Sequence, residues 1–276
     1  MHKKSPLVSV LLPFTRVDEY LEEAAQSIFT QTYTNLEILF LDNQLRNQAI
    51  EYKPNDDRAK VVDCRSLNSL SLVLNHGLKF SHGIYIARMD SDDISESTRF
   101  EKQVEFLESN EIVGVLGTGI QEISETGARL EIRLQPSSHE GVLRKIPFNN
   151  PFFHPTIMFR RTALQQVKGP YLSAFRRSQD YELWTRLLFV TKGGNINEPL
   201  VAYRLHANQS GRRVPHQSVL YFRLAQLKYV LFCAMKKKRD VSWKTVAVSS
   251  RNFLVILIKY TVKLLILRVV SLNRKI

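Results

Sequence analysis

Three short apolar runs, Leu7–Leu12, Leu36–Leu41 and Tyr85–Met89, are each the length of one strand, and stretches of helical spacing separate them. Leu21, Ala24, Ala25 and Ile28 fall at i, i+3, i+4 and i+7, which is one face of a helix. Leu70, Val73, Leu74 and Leu78 mark a second helix before Gly83, and Val61–Cys64 is a shorter candidate strand. Phe100, Val104 and Leu107 predict a third helix and Ile112–Thr118 a further strand; Gly119–Leu134, centred on Thr126-Gly127, reads as a hairpin. Runs that stay apolar at successive positions belong in a sheet covered on both faces. Strands that alternate with helices join by right-handed crossovers into a mostly parallel sheet. The expected fold class is therefore α/β, with a Rossmann-like, mostly parallel central sheet and helices on both faces.

The run Tyr85–Met89, read as a buried strand with Ile84, Ile86 and Met89 supplying the apolar side chains, leads directly into Asp90-Ser91-Asp92-Asp93. Carboxylates at the carboxyl end of a strand in such a sheet stand in the crevice where ligands bind. Three acids in four residues repel one another, so a cation is expected among them. Mg2+ and Mn2+ suit the position, because they take one or two carboxylates and complete their shell with substrate phosphates and water. Taken alone, the triplet reads more plainly as a solvated acidic turn before a helix. The turn after the first strand, Pro13-Phe14-Thr15-Arg16, contains no glycine, and no GxxxxGK[ST] loop occurs in the chain. Phosphate is then to be held by metal rather than by backbone amides, which disfavours dinucleotide-dependent oxidoreductases and P-loop enzymes.

Charge divides the chain. The formal net charge is +13, yet residues 211–276 hold 15 Lys and Arg against one acid, Asp240, while residues 1–210 hold 24 basic and 25 acidic residues. A nucleic-acid enzyme would place basic residues around its cleft, so no nucleic-acid partner is expected. The two cysteines, Cys64 and Cys233, make neither a disulfide framework nor a zinc pattern. Leu7–Phe14 is too short for a signal peptide and is read as the first strand, with the catalytic part in the cytoplasm.

An ordered series of short segments carries a resemblance. Val8-Ser9-Val10-Leu11-Leu12-Pro13, Gln31-Thr32-Tyr33 with Asn35-Leu36-Glu37-Ile38, and Leu74-Asn75-His76-Gly77 come first. Tyr85–Asp93, Arg99-Phe100-Glu101-Lys102-Gln103, His154-Pro155-Thr156, Asp180-Tyr181-Glu182-Leu183-Trp184, and Tyr203-Arg204-Leu205-His206 with Gln209-Ser210 complete it. The series resembles the family 2 glycosyltransferases of GT-A fold, of the bacterial polysaccharide type that builds amylovoran and lipopolysaccharide. It covers Leu7 to Ser210.

The resemblance implies an inverting, metal-dependent hexosyltransferase that takes a nucleoside-diphosphate sugar, UDP-sugar favoured, and Mn2+ or Mg2+. Asp42 would receive the nucleobase, with Pro13, Phe14 and Thr15 as the wall of its site and Arg88 among the nucleotide-binding residues. Asp90 would lie near ribose and metal, Asp92 would be the direct metal ligand, and His206 would reach the metal or diphosphate. Asp180 would be the catalytic base, on the first turn of a helix whose Leu183, Leu187 and Leu188 face the core, with Trp184 beneath the acceptor. His154 could serve the acceptor or the fold.

The chain departs from the family pattern in three places. Asn43-Gln44-Leu45 stands where Asp-Gly-Ser is usual, Asn68-Ser69-Leu70-Ser71 lacks a glycine, and Gln179 replaces the acid before the base. The alternative reading is thus a catalytically impaired sugar-nucleotide-binding protein of the same fold. Beyond residue 210, Lys236–Arg239 and the apolar runs Phe253–Ile258 and Leu264–Val270, interrupted by Lys259, Lys263 and Arg268, predict a helical, basic and apolar tail. Charges at that spacing suit a helix lying in an anionic leaflet better than a span. The plainer alternative is a helical pair packing on the catalytic domain or on a partner chain, with the apolar-rich Val219–Ala234 before it. The expected organisation is a GT-A domain over 1–210 and a membrane-associating tail over 211–276. The protein is expected to be peripheral on the cytoplasmic side of the bacterial inner membrane, with a glycan or lipid-linked glycan acceptor.

Overall fold

The computed structural model describes residues 5–206 and 220–229. The chain runs β1 (Val8–Phe14), α1 (Glu19–Phe29), β2 (Leu36–Asp42), β3 (Ala59–Asp63), α2 (Leu70–Phe80), β4 (Tyr85–Arg88) and β5 (Ile94–Ser95). It continues through α3 (Arg99–Ser109), β6 (Val113–Ile123), β7 (Arg129–Arg133), α4 (His139–Lys145), β8 (Met158–Arg160), α5 (Arg161–Gln165), α6 (Gln179–Leu187) and β9 (Lys192–Arg204). A last helical segment, 220–229, is called α7.

The strands form one nine-stranded sheet in the order β3-β2-β1-β4-β8-β6-β9-β5, with β7 paired to β6. β1, β2, β3 and β4 are mutually parallel, and β6 and β9 share their direction; β8, β5 and β7 run against it. The apolar runs bury both faces by alternation. Leu11, Leu39 and Leu41 enter one core with residues of α2, α5 and α6, whereas Val10, Leu12, Ile38 and Phe40 enter the other with α1 and α3. Two helices start on side-chain caps that the sequence supplies locally: Asp18 accepts from Leu21 N at 3.1 Å, and Ser69 accepts from Leu72 N at 3.4 Å.

Some boundaries differ from the sequence pattern for identifiable reasons. β1 runs through Pro13 to Phe14 instead of stopping at Leu12. Its odd residues face β4, as Met89 N donating to Leu11 O shows, and the β1–β4 pairing ends at Leu11. Pro13 therefore lacks its N–H where no strand remains to accept it. Ile84 is 49% exposed and precedes β4, so Tyr85 begins the buried run. Ile112–Thr118 and the first arm of the hairpin are one 11-residue strand, β6, and Gly127 turns the hairpin at φ +85°.

After residue 210, α7 packs on α6. Ala225 and Tyr229 are buried, and Lys228 pairs with Glu182 at 2.6 Å. The packed body thus reaches Tyr229. Gln209-Ser210, Lys236–Arg239 and both apolar runs of the predicted tail lie outside the described residues. Among the described residues no helix is long and apolar enough to cross a membrane.

Candidate active site

The acidic loop leaves the carboxyl end of β4, and buried arginines hold it. Arg88, the last residue of β4, is 3% exposed and grips Asp90 with both terminal nitrogens, Nη1 donating to Oδ2 at 2.7 Å and Nη2 to Oδ1. Burial raises the Asp90 carboxyl above the usual range, and Arg88 works against that rise. Asp93 is fully buried; its Oδ1 accepts from Arg204 N at 3.0 Å, and its Oδ2 has no partner among the described residues. Burial, with the charges of Asp92 and Asp90 beside it, pushes Asp93 well up. Asp92 accepts from His206 Nε2 at 2.8 Å. One oxygen from each acid lies within 4.8 Å of the others.

Beneath the loop, Arg99 donates to Arg88 O at 2.9 Å, and burial lowers its guanidinium to about 9 despite the opposing charge of Asp93. Arg204 braces the loop from β9. Its Nε donates to Asp92 O at 3.1 Å, Nη1 to Glu125 O at 2.9 Å and Nη2 to Glu23, while its guanidinium sits 4.6 Å from the Tyr20 ring centre. A cluster of hard oxygen donors with one buried oxygen unsatisfied fits a hard divalent cation, which would offset the charge gathered there.

The ends of β1, β2 and β3 make the neighbouring ground. Phe14 is in register with Asp42, and Asp42 with Asp63. Asp42 is buried, accepts from Gln44 N at 3.1 Å and faces Arg65 Nε at 3.8 Å; the same nitrogen donates to Asp63 at 3.0 Å. The Phe14 ring turns inward against Tyr52, 5.5 Å away, so only Pro13 and Thr15 of the expected wall stay accessible. Gln44, where the family carries glycine, is buried and clasps Ile50 by two bonds: Nε2 donates to Ile50 O at 2.8 Å, and Ile50 N donates to Oε1 at 3.1 Å.

Asp180 begins α6 opposite the loop. Ser178 before it has φ +52°, the left-handed region, which turns the chain sharply into the helix. Asn150 Nδ2 donates to Asp180 Oδ2 at 2.9 Å. Burial raises the Asp180 carboxyl, while backbone N–H groups, the Asn150 amide and the Arg88 charge pull it back. Leu183, Leu187 and Leu188 are core residues as expected. Trp184 is fully buried between Phe152 and Phe159. His154 sits 5.8 Å from the Trp184 ring and shares a 2.9 Å hydrogen bond with the Tyr171 hydroxyl; burial and Arg88 keep it neutral.

Residues separated by a hundred positions thus share one electrostatic neighbourhood. The Arg88 charge reaches Asp180, His154 and Tyr171, and that of Asp180 reaches Asp90. Asp42, Asp90, Asp92, Asp180 and His206 all occupy carboxyl ends of strands or the first turn of α6. Asn150, Tyr171, Arg65 and the bracing role of Arg204 carry no sequence expectation. Arg204 lies within a matched segment, and Asn150 directly precedes Pro151, but nothing in the sequence marks Tyr171.

The fold is that of the GT-A glycosyltransferases. The crystal structure of S. aureus TarS 1–349 in complex with UDP-GlcNAc matches it with TM-score 0.62 at 15% identity, over 81% of this chain and 66% of that one. The chain belongs to glycosyl transferase family 2, whose sequence model matches residues 9–182. It is 32% identical to the O-antigen biosynthesis glycosyltransferase WbnJ of Escherichia coli over 244 residues, 86% of this chain and 91% of that protein. It is 28% identical over 220 residues to the Escherichia coli UDP-Gal:alpha-D-GlcNAc-diphosphoundecaprenol beta-1,3-galactosyltransferase, 77% of this chain and 79% of that protein.

Proposed function

We propose that this glycosyltransferase is an inverting hexosyltransferase of surface-polysaccharide biosynthesis, moving a sugar from a UDP-sugar to a lipid-linked glycan with Asp180 as base. The observation that carries this reading is the half-buried Asp180 carboxyl, held by Asn150 within electrostatic reach of the Arg88–Asp90 pair. The acceptor hydroxyl gives its proton to Asp180 as its oxygen bonds to the anomeric carbon. The bond from that carbon to the diphosphate breaks on the opposite face, and its electron pair leaves with UDP. Attack opposite the leaving group inverts the centre. Burial makes Asp180 a stronger base than a surface carboxylate, an effect that with orientation is worth about 10²–10⁴-fold.

Asp90 and Asp92, with His206 as a further contact, would hold Mg2+ or Mn2+. The ion would act as a Lewis acid toward the charge growing on the diphosphate. Asp42 and the accessible Pro13 and Thr15 take the uridine side, and Arg88 opposes the rise that burial gives the Asp90 carboxyl. The name of the galactosyltransferase relative supports a UDP-sugar donor and a diphospholipid acceptor, and that of the O-antigen relative supports surface-polysaccharide biosynthesis. Residues 230–276 hold 11 Lys and Arg and one acid, which suits attraction to an anionic leaflet of about 1 kcal/mol per basic residue. Peripheral placement on the cytoplasmic face of the inner membrane follows from that attraction and a diphospholipid acceptor.

UDP release from UDP-galactose or UDP-GlcNAc, with a GlcNAc-diphospholipid acceptor and with water alone, tests the reading. Asp180→Asn should bind donor normally while acceptor-dependent release falls by about 10² or more. Near-normal turnover in that variant would remove Asp180 as base. Parent protein that binds donor without turning it over would instead favour the impaired binder suggested by Asn43-Gln44-Leu45.

A further inference from the structure

The position of Asp180 depends on α7. Tyr181, the next residue, is fully buried; its ring stacks on Phe222 at 4.2 Å and 32°, and its hydroxyl donates to Ile146 O. Gln226, also buried, sits beside that hydroxyl, and its Nε2 donates to Pro147 O at 2.9 Å. Arg223 Nη1 donates to Gln226 Oε1 at 2.6 Å, which fixes the amide with its nitrogen inward. The segment so held leads within three residues to Asn150, the donor to Asp180. On the next residue of α6, the buried Glu182 receives Lys228 at 2.6 Å.

Gln226 therefore bridges the helix that carries Asp180 and the segment that carries its hydrogen-bond partner. An apolar side chain would fill the same space without the cost of burying an amide, which must then be fully satisfied. Its contacts fall one residue from Asp180 and three from Asn150.

We propose that Gln226 and Phe222 are positioning residues that hold Asp180 and Asn150 in register, so that α7 completes the catalytic body. This rests on the reading of Asp180 as base. Displacement of a reacting group by about 1 Å can cost 10²-fold in rate, so loss of register appears in turnover before it appears in donor binding.

The test compares Gln226→Leu, Gln226→Glu, Phe222→Ala, Phe222→Tyr and Asp180→Asn in the full-length protein. UDP-sugar affinity is read by calorimetry, UDP release by turnover, and folding by thermal melting. Gln226→Leu should keep donor affinity within about twofold and melt near the parent temperature, yet lose about tenfold or more in turnover. Gln226→Glu should not restore it, because a carboxylate cannot donate to Pro147 O. Phe222→Tyr, which keeps the stack, should recover what Phe222→Ala loses. Turnover within about threefold of the parent in Gln226→Leu and Phe222→Ala, with Asp180→Asn inactive, overturns the inference and leaves the base in place. Losses of turnover that only track lost donor affinity or lost folded protein also overturn it. Retained turnover in Asp180→Asn removes the base reading and this inference together.

Discussion

Asn150 donates its side-chain amide to Asp180 Oδ2 at 2.9 Å, joining residues 30 positions apart and supplying the one side-chain hydrogen bond, among the described residues, that favours the ionised form of that half-buried carboxyl. Burial pushes Asp180 up and Asn150 pulls it down, so the proton affinity of this carboxyl depends on a neutral neighbour.

Removing that neighbour has a signed consequence. Without the amide, the Asp180 carboxyl rises further and stays protonated over more of the acid range. In Asn150→Ala the acid limb of the kcat/KM profile should move to higher pH, with less effect on the alkaline side. A limb that stays in place would show that Asp180 is not the group it reports.

Asp92→Asn should abolish metal-dependent donor binding, because an amide oxygen lacks the charge the ion requires. His206→Ala leaves the Asp92 carboxylate but removes its 2.8 Å partner, and should weaken binding less. Calorimetry with UDP and Mn2+ separates the two, and unchanged affinity in Asp92→Asn would place the site elsewhere.

Gln44→Ala removes both bonds to the Ile50 backbone and should lower stability by about 1–2 kcal/mol. The loop following Asn43 should then become the first site of proteolysis. An unchanged melting temperature would mean that the clasp adds nothing.

Two truncations separate packing from membrane attraction. Ending the chain after Ser210 removes Ala225 and Tyr229 from the core and uncovers Tyr181, at a cost of about 3 kcal/mol. Ending it after Ala234 keeps α7 and removes 11 basic residues. The longer truncation product should melt with the parent, bind donor and fail to float with anionic vesicles. The parent should float, and salt should weaken but not abolish its binding, since apolar burial is not screened. If the chain ending at Ala234 still floats, the membrane contact lies elsewhere.

The local parts of this fold are written in the sequence. Apolar runs such as Leu36–Leu41 force two covered faces, and Asp18 and Ser69 start their helices within three residues of themselves. The acids at the end of β4 follow from where the strand pattern stops, and Asp180 on the first turn of α6 from the matched segment Asp180–Trp184. Covalent neighbourhood and periodicity carry that information, and matched segments placed the family.

Tertiary structure decided what surrounds those groups. Sequence order does not bring Asn150 to Asp180, Arg204 to the backbone of Asp92, or Gln226 between Pro147 and Tyr181. Nor could it show that Phe14 turns inward, that Gln44 clasps Ile50, or that part of the basic C-terminal segment belongs to the catalytic body. The physical reason is that burial and field depend on which elements pack together. A carboxyl at the start of a helix is an ordinary acid until Tyr181, Asn150 and the distant Arg88 enclose it and set its affinity for a proton.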